Sequence, residues 1–109
     1  MPFAQAISSI SRAPPLLVKT AVPLPPGDAY AQACRCFEVI QATLTVMNAS
    51  LHQVVRTRMY VTDISQWATF GKAHQEFFGE HPPVTSMVEV SALISADMLI
   101  EVEAEAFVA

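Results

Sequence analysis

Charged side chains alternate with apolar ones along two stretches of the chain. The first stretch, 54–61, alternates Arg56, Arg58 and Tyr60 with mostly apolar residues, and the second, 100–106, alternates three glutamates with Ile, Val and Ala. A period of two is typical of a β-strand with two different faces. Arginine and glutamate side chains on neighbouring strands attract each other. The stripe is therefore either a structural ion-pair network or a surface on which one member works on a ligand.

A first helix is expected between the proline-rich segment 23–26 and the first charged strand, 54–61. Asp28 follows a run of prolines and is a suitable N-cap, and Asn48 is a suitable C-terminal stop. Apolar residues recur between them in steps of four, three, four and three, which predicts one buried stripe: Ala33, Phe37, Ile40, Leu44 and Met47. Core packing against a sheet is sufficient to explain this stripe.

A second helix is expected over about 66–78, ended by Gly79 and the two prolines that follow. Asp63 and Ser65 are both acceptable N-caps. Four residues share one side of this helix: Trp67, Phe70, His74 and Phe77. His74 is interpreted as a partly buried structural histidine, with a ligand or base role as the alternative.

Five short segments read as strands: about 3–10, 16–22, 54–61, 84–90 and 98–108. Strand–helix–strand connections favour a mixed sheet with both helices on one face. We therefore expect one domain over residues 1–109, with a two-layer α+β fold. The sheet face without helices is expected to close against other subunits, and it would carry Arg56, Arg58, Tyr60, Thr85, Met87, Glu89, Glu101, Glu103 and Glu105.

Composition narrows the classes of partner. The net charge is −4 and the basic residues form no run, so the composition does not favour nucleic acid as a partner. No leader or membrane-spanning stretch is visible, and we expect a cytoplasmic protein. Cys34 and Cys36 point to nearly opposite sides of the first helix, which indicates reduced thiols. His52 and His81 have no ligand spacing, so neither a metal nor another cofactor is expected.

Several segments together resemble the Rid/YjgF family, whose members are often labelled endoribonuclease L-PSP. The resemblance rests on residues 56–64, 77–78, 88–90 and 100–104, in the family's order, and it covers the chain from Gly27 onward, whereas the first 22 residues look shortened or divergent. It implies a chorismate-mutase-like homotrimer with ligand clefts between subunits. It also implies hydrolysis of imines and enamines to 2-oxo acids and ammonia.

The resemblance also assigns site positions. Glu101 aligns with the family's water-positioning glutamate, whereas Thr85 stands where catalytic members carry an arginine that holds the substrate carboxylate. Met87 replaces the usual cysteine and Gly71 the usual helix asparagine. The chain thus resembles the branches of the family that lack the arginine.

A threonine is a much weaker carboxylate partner than an arginine fork. Either the substrate lacks the carboxylate, which we favour, or Arg58 replaces the lost cation on the same face, next to Tyr60. The expected function is hydrolysis of a small-molecule imine or enamine. The alternatives are a non-catalytic small-molecule-binding trimer of the same family and, last, an L-PSP-type ribonuclease.

Overall fold

The computed structural model describes residues 15–108, so the predicted strand at 3–10 lies outside the described part of the chain. Short 3₁₀ turns, Leu51–Gln53 and Ile64–Gln66, precede the second strand and the second helix. The main elements follow one another as β1 (Leu16–Ala21), α1 (Ala29–Val46), β2 (Val54–Val61), α2 (Trp67–Phe78), β3 (Val84–Glu89) and β4 (Ile100–Ala106).

The four strands form one mixed sheet in the order β1-β4-β2-β3. β4 runs antiparallel to both of its neighbours, and β2 and β3 are parallel because α2 connects them as a crossover. Both helices contribute to the core that covers one face of this sheet. The predicted two-layer α+β fold is confirmed.

Helix α1 begins where the sequence predicted. The Asp28 carboxylate accepts a hydrogen bond from the backbone N–H of Ala31 at 3.0 Å, which satisfies one of the free donors of the first turn. The predicted stripe from Ala33 to Leu44 is fully buried. Met47, its predicted last member, is instead 47% exposed, because the helix ends at Val46 and Met47 is its C-cap.

Helix α2 buries a slightly different set of residues from the predicted one. Phe70, His74 and Phe78 are buried, and Phe77 packs against their edge. Trp67 is 64% exposed, which corrects its predicted place in the stripe. It is the first residue of the helix, and burial starts only one turn later.

A buried glutamine ties α1 to the start of β4. The Gln32 side-chain N–H groups donate to the carbonyl oxygens of Pro25 at 3.0 Å and Asp97 at 2.8 Å, and its carbonyl oxygen accepts from the N–H of Leu99 at 2.9 Å. Each of these backbone groups would cost about 1–3 kcal/mol if it were buried without a partner. Gln32 therefore holds the connector that leads into β4 and its glutamates.

Candidate functional site

Strand register assigns the charged residues to the sheet face that carries no helix, which we call the open face. Arg58 lies between Glu103 on β4 and Ser86 on β3, and Tyr60 lies between Glu101 and Val88. From these pairings and the alternation along each strand, the open face consists of Leu17, Lys19, Ala21, Arg56, Arg58, Tyr60, Val84, Ser86, Val88, Glu101, Glu103 and Glu105.

Glu103 is the centre of a polar network on the open face. Arg58 Nη1 lies 3.2 Å from Glu105 Oε1 and 3.7 Å from Glu103 Oε1, and Lys19 Nζ lies 3.6 Å from Glu103 Oε2. Tyr60 Oη donates to Glu103 Oε1 at 2.9 Å, and this hydrogen bond to a carboxylate raises the pKa of Tyr60. The predicted pairing of arginine with glutamate is confirmed, and the charge of Arg58 is compensated within its own chain.

Glu101 differs from the other two glutamates of its strand. It is half-buried on the open face, opposite Tyr60 on one side and Ala21 on the other. Between residues 15 and 108, no cation and no side-chain donor reaches its carboxylate, whereas Glu103 and Glu105 are both ion-paired. The carboxylate of Glu101 is therefore the one in the stripe that is available to a ligand or a water molecule.

The β3 residues Thr85, Met87 and Glu89 do not lie on the open face, where we had predicted them. Parallel pairing places Thr85 directly beside the buried Thr57, on the helix side of the sheet. The alternation of β3 defines two faces but not which one is inward, and the apolar residues at Val84 and Val88 point outward instead. Arg58 and Thr85 consequently face opposite sides of the sheet, so the prediction that Arg58 acts on the same face as Thr85 is wrong within one chain.

A second polar group lies on the helix side and was not recognised from the sequence. His74 Nε2 lies 2.8 Å from Thr57 Oγ1, and Thr57 Oγ1 lies 2.7 Å from Thr85 Oγ1. The His74 ring packs against Phe37 and Phe78, and this burial lowers its pKa below the ordinary value of 6.5. The sequence signal was a histidine in an apolar helix stripe together with an inward-facing threonine on β2.

Two further residues that the sequence assigned to the site lie near members of this group along their own elements. Met87 is half-buried against the core, two residues beyond Thr85 on the same side of β3. Gly71 precedes His74 by three residues on α2, so the two share a helix side. A Cβ atom at Gly71 would meet no atom within 4 Å, so Gly71 borders open space.

Other reactive side chains lie elsewhere. Burial raises the pKa of the Cys36 thiol to about 11, which makes it a poor nucleophile, and both cysteines are free. His52 Nε2 lies 3.3 Å from Glu80 Oε2, and both residues line an open groove of about 430 Å³ together with His81. Within residues 15–108, no group of three or more His, Cys, Asp or Glu side chains could hold a metal ion.

Comparison with known proteins identifies the family. The family described as endoribonuclease L-PSP matches residues 14–108. The chain belongs to this family, which is also called Rid/YjgF. A crystal structure of a YjgF/YER057c/UK114 family member from Mycobacterium tuberculosis is 43% identical, with a TM-score of 0.82 over 88% of this chain and 80% of that one.

Two relatives extend the comparison. A RutC family protein of Pyrococcus abyssi is 41% identical over 74% of this chain, and the 2-iminobutanoate/2-iminopropanoate deaminase of Escherichia coli is 33% identical over 72% of it. In both cases the match spans 63% of the relative's own length. Among residues 15–108, neither helix is long and apolar enough to cross a membrane.

The burial of His74 predicts a specific dependence of stability on pH. The pKa of His74 is lower in the fold than in the unfolded chain, so the unfolded chain binds more protons below about pH 6.5. The stability that neutral His74 supports is complete above pH 6.5 and is lost as the pH falls through the pKa of the folded state. Urea unfolding between pH 7.5 and 5 should show the wild type losing stability relative to His74→Gln. A difference between the two that does not change with pH would contradict this, and His81→Gln serves as the exposed control.

Proposed function

We propose that this protein hydrolyses uncharged imines or enamines to carbonyl compounds and ammonia, in clefts between the subunits of a homotrimer. The observation that carries this proposal is the carboxylate of Glu101, which has no described partner and stands at the position that the family resemblance assigns to the water-positioning glutamate. The name of the Escherichia coli relative, an imino-acid deaminase, supports the reaction class.

The chemistry requires one group that moves a proton. An enamine first tautomerises to the imine. Water then adds to the C=N carbon while Glu101 accepts one of its protons and passes it to the nitrogen, which gives the neutral carbinolamine. Glu101 next accepts the hydroxyl proton of the carbinolamine and delivers it to the amine nitrogen as the C–N bond breaks, so the products are a carbonyl compound and ammonia. Because no cation or side-chain donor among the described residues contacts the Glu101 carboxylate, its oxygens are available to accept these protons.

Thr85 determines which imines fit. A substrate carboxylate that enters a cleft loses its hydration, which costs several kcal/mol unless a cation binds it. Thr85 offers one neutral hydrogen bond of about 1 kcal/mol, and Arg58 is paired with Glu103 and Glu105 on the opposite face. An uncharged substrate avoids this cost, so we infer that the substrate carries no carboxylate beside the imine.

The separation of Glu101 and Thr85 supports a site between subunits. These two side chains face opposite sides of one sheet, and a small substrate cannot bridge a sheet. If the open face of one subunit lies against the β3 edge of another, Glu101 and Thr85 from different chains can line one cleft. Val84 and Val88 on the open face are 71% and 45% exposed in the single chain, and such side chains are buried when an interface forms.

A binding protein without catalysis is the second candidate. By the family resemblance, Thr85, Met87 and Gly71 stand at the positions of the family's arginine, cysteine and asparagine. None of the three has a side chain that acts readily as an acid, a base or a nucleophile at neutral pH. The same clefts would then bind a small uncharged molecule. A ribonuclease is less well supported, because the chain has a net charge of −4 and the cations Lys19 and Arg58 are ion-paired.

The assembly can be tested directly. Sedimentation equilibrium at micromolar concentration should give three times the mass of one chain. Val88→Asp should dissociate the trimer, because it places an unpaired charge in the proposed interface. Val46→Asp, at an exposed position of α1 on the other side of the sheet, should remain trimeric. A stable wild-type monomer would contradict the proposal.

The activity is tested with two imines. An amine oxidase acting on a primary amine supplies an uncharged imine, and a serine dehydratase supplies 2-aminoacrylate. Wild type should accelerate ammonia release from the first far more than from the second. Thr85→Arg should raise the rate with 2-aminoacrylate, because it supplies a cation for the carboxylate.

Variants of Glu101 separate the two candidate functions. Glu101→Gln should lower the rate with the uncharged imine by about 100-fold or more, whereas Glu38→Gln on the exposed side of α1 should not change it. Full activity of Glu101→Gln would overturn the role of Glu101. No acceleration by the wild type with either imine would favour the binding protein. Rapid turnover of 2-aminoacrylate by the wild type would overturn the inference of an uncharged substrate.

A further inference from the structure

We propose that His74 and Thr57 are positioning residues that turn the hydroxyl group of Thr85 outward, so that Thr85 donates a hydrogen bond to an uncharged acceptor, such as a carbonyl oxygen, on the bound molecule. This inference rests on the proposed function, because it assumes that Thr85 lines the substrate cleft. It adds the chemical group that the substrate must present at this position.

Proton counting links the directions of the hydrogen bonds in this group, because a threonine hydroxyl has one proton to donate. We infer the direction in which Thr57 donates to Thr85, 2.7 Å away. Thr57 is then the acceptor in its contact with His74, and His74 Nε2 carries the proton. Thr85 accepts from Thr57 in turn, and its own proton remains free to point away from the core. The chain of donors therefore runs from the buried imidazole to the exposed hydroxyl.

The surroundings of the donor chain from His74 through Thr57 to Thr85 argue against a purely structural role. Thr57 is fully buried and His74 nearly so, among Phe37 and Phe78. Apolar residues of similar shape would fill this space without the cost of burying two polar groups. The row of hydrogen bonds instead ends at Thr85, an exposed residue of the edge strand β3. Departures of this kind from an apolar core are expected at functional sites.

The donor chain makes Thr85 selective. In a row of hydrogen bonds, each donor is polarised by the one behind it, so the outward hydroxyl becomes a better donor and a poorer acceptor. A carbonyl oxygen is favoured at this position, and a group that can only donate is disfavoured because the hydroxyl proton of Thr85 meets it.

Binding of two probes to the assembled wild-type protein and its variants tests the proposal without relying on turnover. The probes are pyruvamide and 2-butanone. Both carry a ketone, which takes the place of the C=N group beside Glu101, and only pyruvamide carries a second oxygen, on its carboxamide, to reach Thr85. We measure the Kd of each by NMR titration. Thr85→Val and Thr57→Val should each weaken pyruvamide binding by about tenfold, the value of one hydrogen bond, and leave 2-butanone binding unchanged. Thr57→Ser keeps the hydroxyl and should bind pyruvamide like the wild type.

The double variant shows whether Thr57 acts through Thr85. Adding Thr57→Val to Thr85→Val should weaken pyruvamide binding no further. Additive losses, or unchanged binding by Thr57→Val alone, would overturn the proposal. If Thr57→Val fails to fold in a thermal melt, His74→Phe removes the first donor among the neighbouring aromatic rings and should produce the same selective loss; unchanged pyruvamide binding by that variant would equally overturn it.

Failure of this inference can be distinguished from failure of the proposed function. Imine hydrolysis by the wild type with unchanged binding by Thr57→Val would overturn only the positioning role. Selective, Thr57-dependent pyruvamide binding without any imine hydrolysis would overturn the enzyme and retain the donor chain.

Discussion

The pairing of β2 with both of its neighbours is the constraint on which the rest of the structure depends. Antiparallel pairing with β4 brings Arg58 against Glu103 and Glu105 on the open face. Parallel pairing with β3 brings Thr57 against Thr85 on the helix side. Because side chains of one strand alternate between faces, a shift of one residue in either pairing would exchange the two surfaces completely. The ion-pair network around Glu103 and the hydrogen-bonded cluster of His74, Thr57 and Thr85 are thus separated by the thickness of one sheet.

This separation has a consequence for assembly. Under the proposed function, the carboxylate that activates water, at Glu101, lies on one face, and the residue that sets the charge of the substrate, Thr85, lies on the other. A small-molecule site that uses both residues needs a second copy of the chain, which a symmetric ring of subunits supplies. The proposed chemistry therefore requires the oligomer, because a single chain would contain only half of each site.

Much of the architecture was predictable from the sequence because its periodic segments are long and clearly bounded. The cap at Asp28, the stripe from Ala33 to Leu44 and the whole of β2 were predicted correctly, and so was the α+β class. The inward face of β3 was predicted wrongly, because Val84 and Val88 suggested that their side of the strand is buried. In the structure both valines lie on the open face. Only the pairing with β2 decides this, and pairing partners are not visible in one strand.

The candidate site was less predictable than the fold, because its residues meet through strand pairing and other long-range contacts. The alternation of its strand predicted that Glu101 faces away from the core, and the resemblance to the family selected it over Glu103 and Glu105. The donor chain from His74 to Thr85 joins three elements that are distant in sequence, and a lone histidine in an apolar stripe does not reveal its partner. Long-range contacts of this kind depend on the register between strands, which local patterns do not contain.

The central claim, that Glu101 and Thr85 of different chains form one site, is tested most directly by mixing subunits. Glu101→Gln removes the carboxylate, Thr85→Trp fills the cleft, and the two variants are unfolded and refolded together. In random trimers about a quarter of the clefts would combine an intact Glu101 from one chain with an intact Thr85 from its neighbour. We predict that the mixture recovers about a quarter of the wild-type rate with the uncharged imine, although each variant alone is nearly inactive. A mixture as inactive as its components would contradict a site shared between chains.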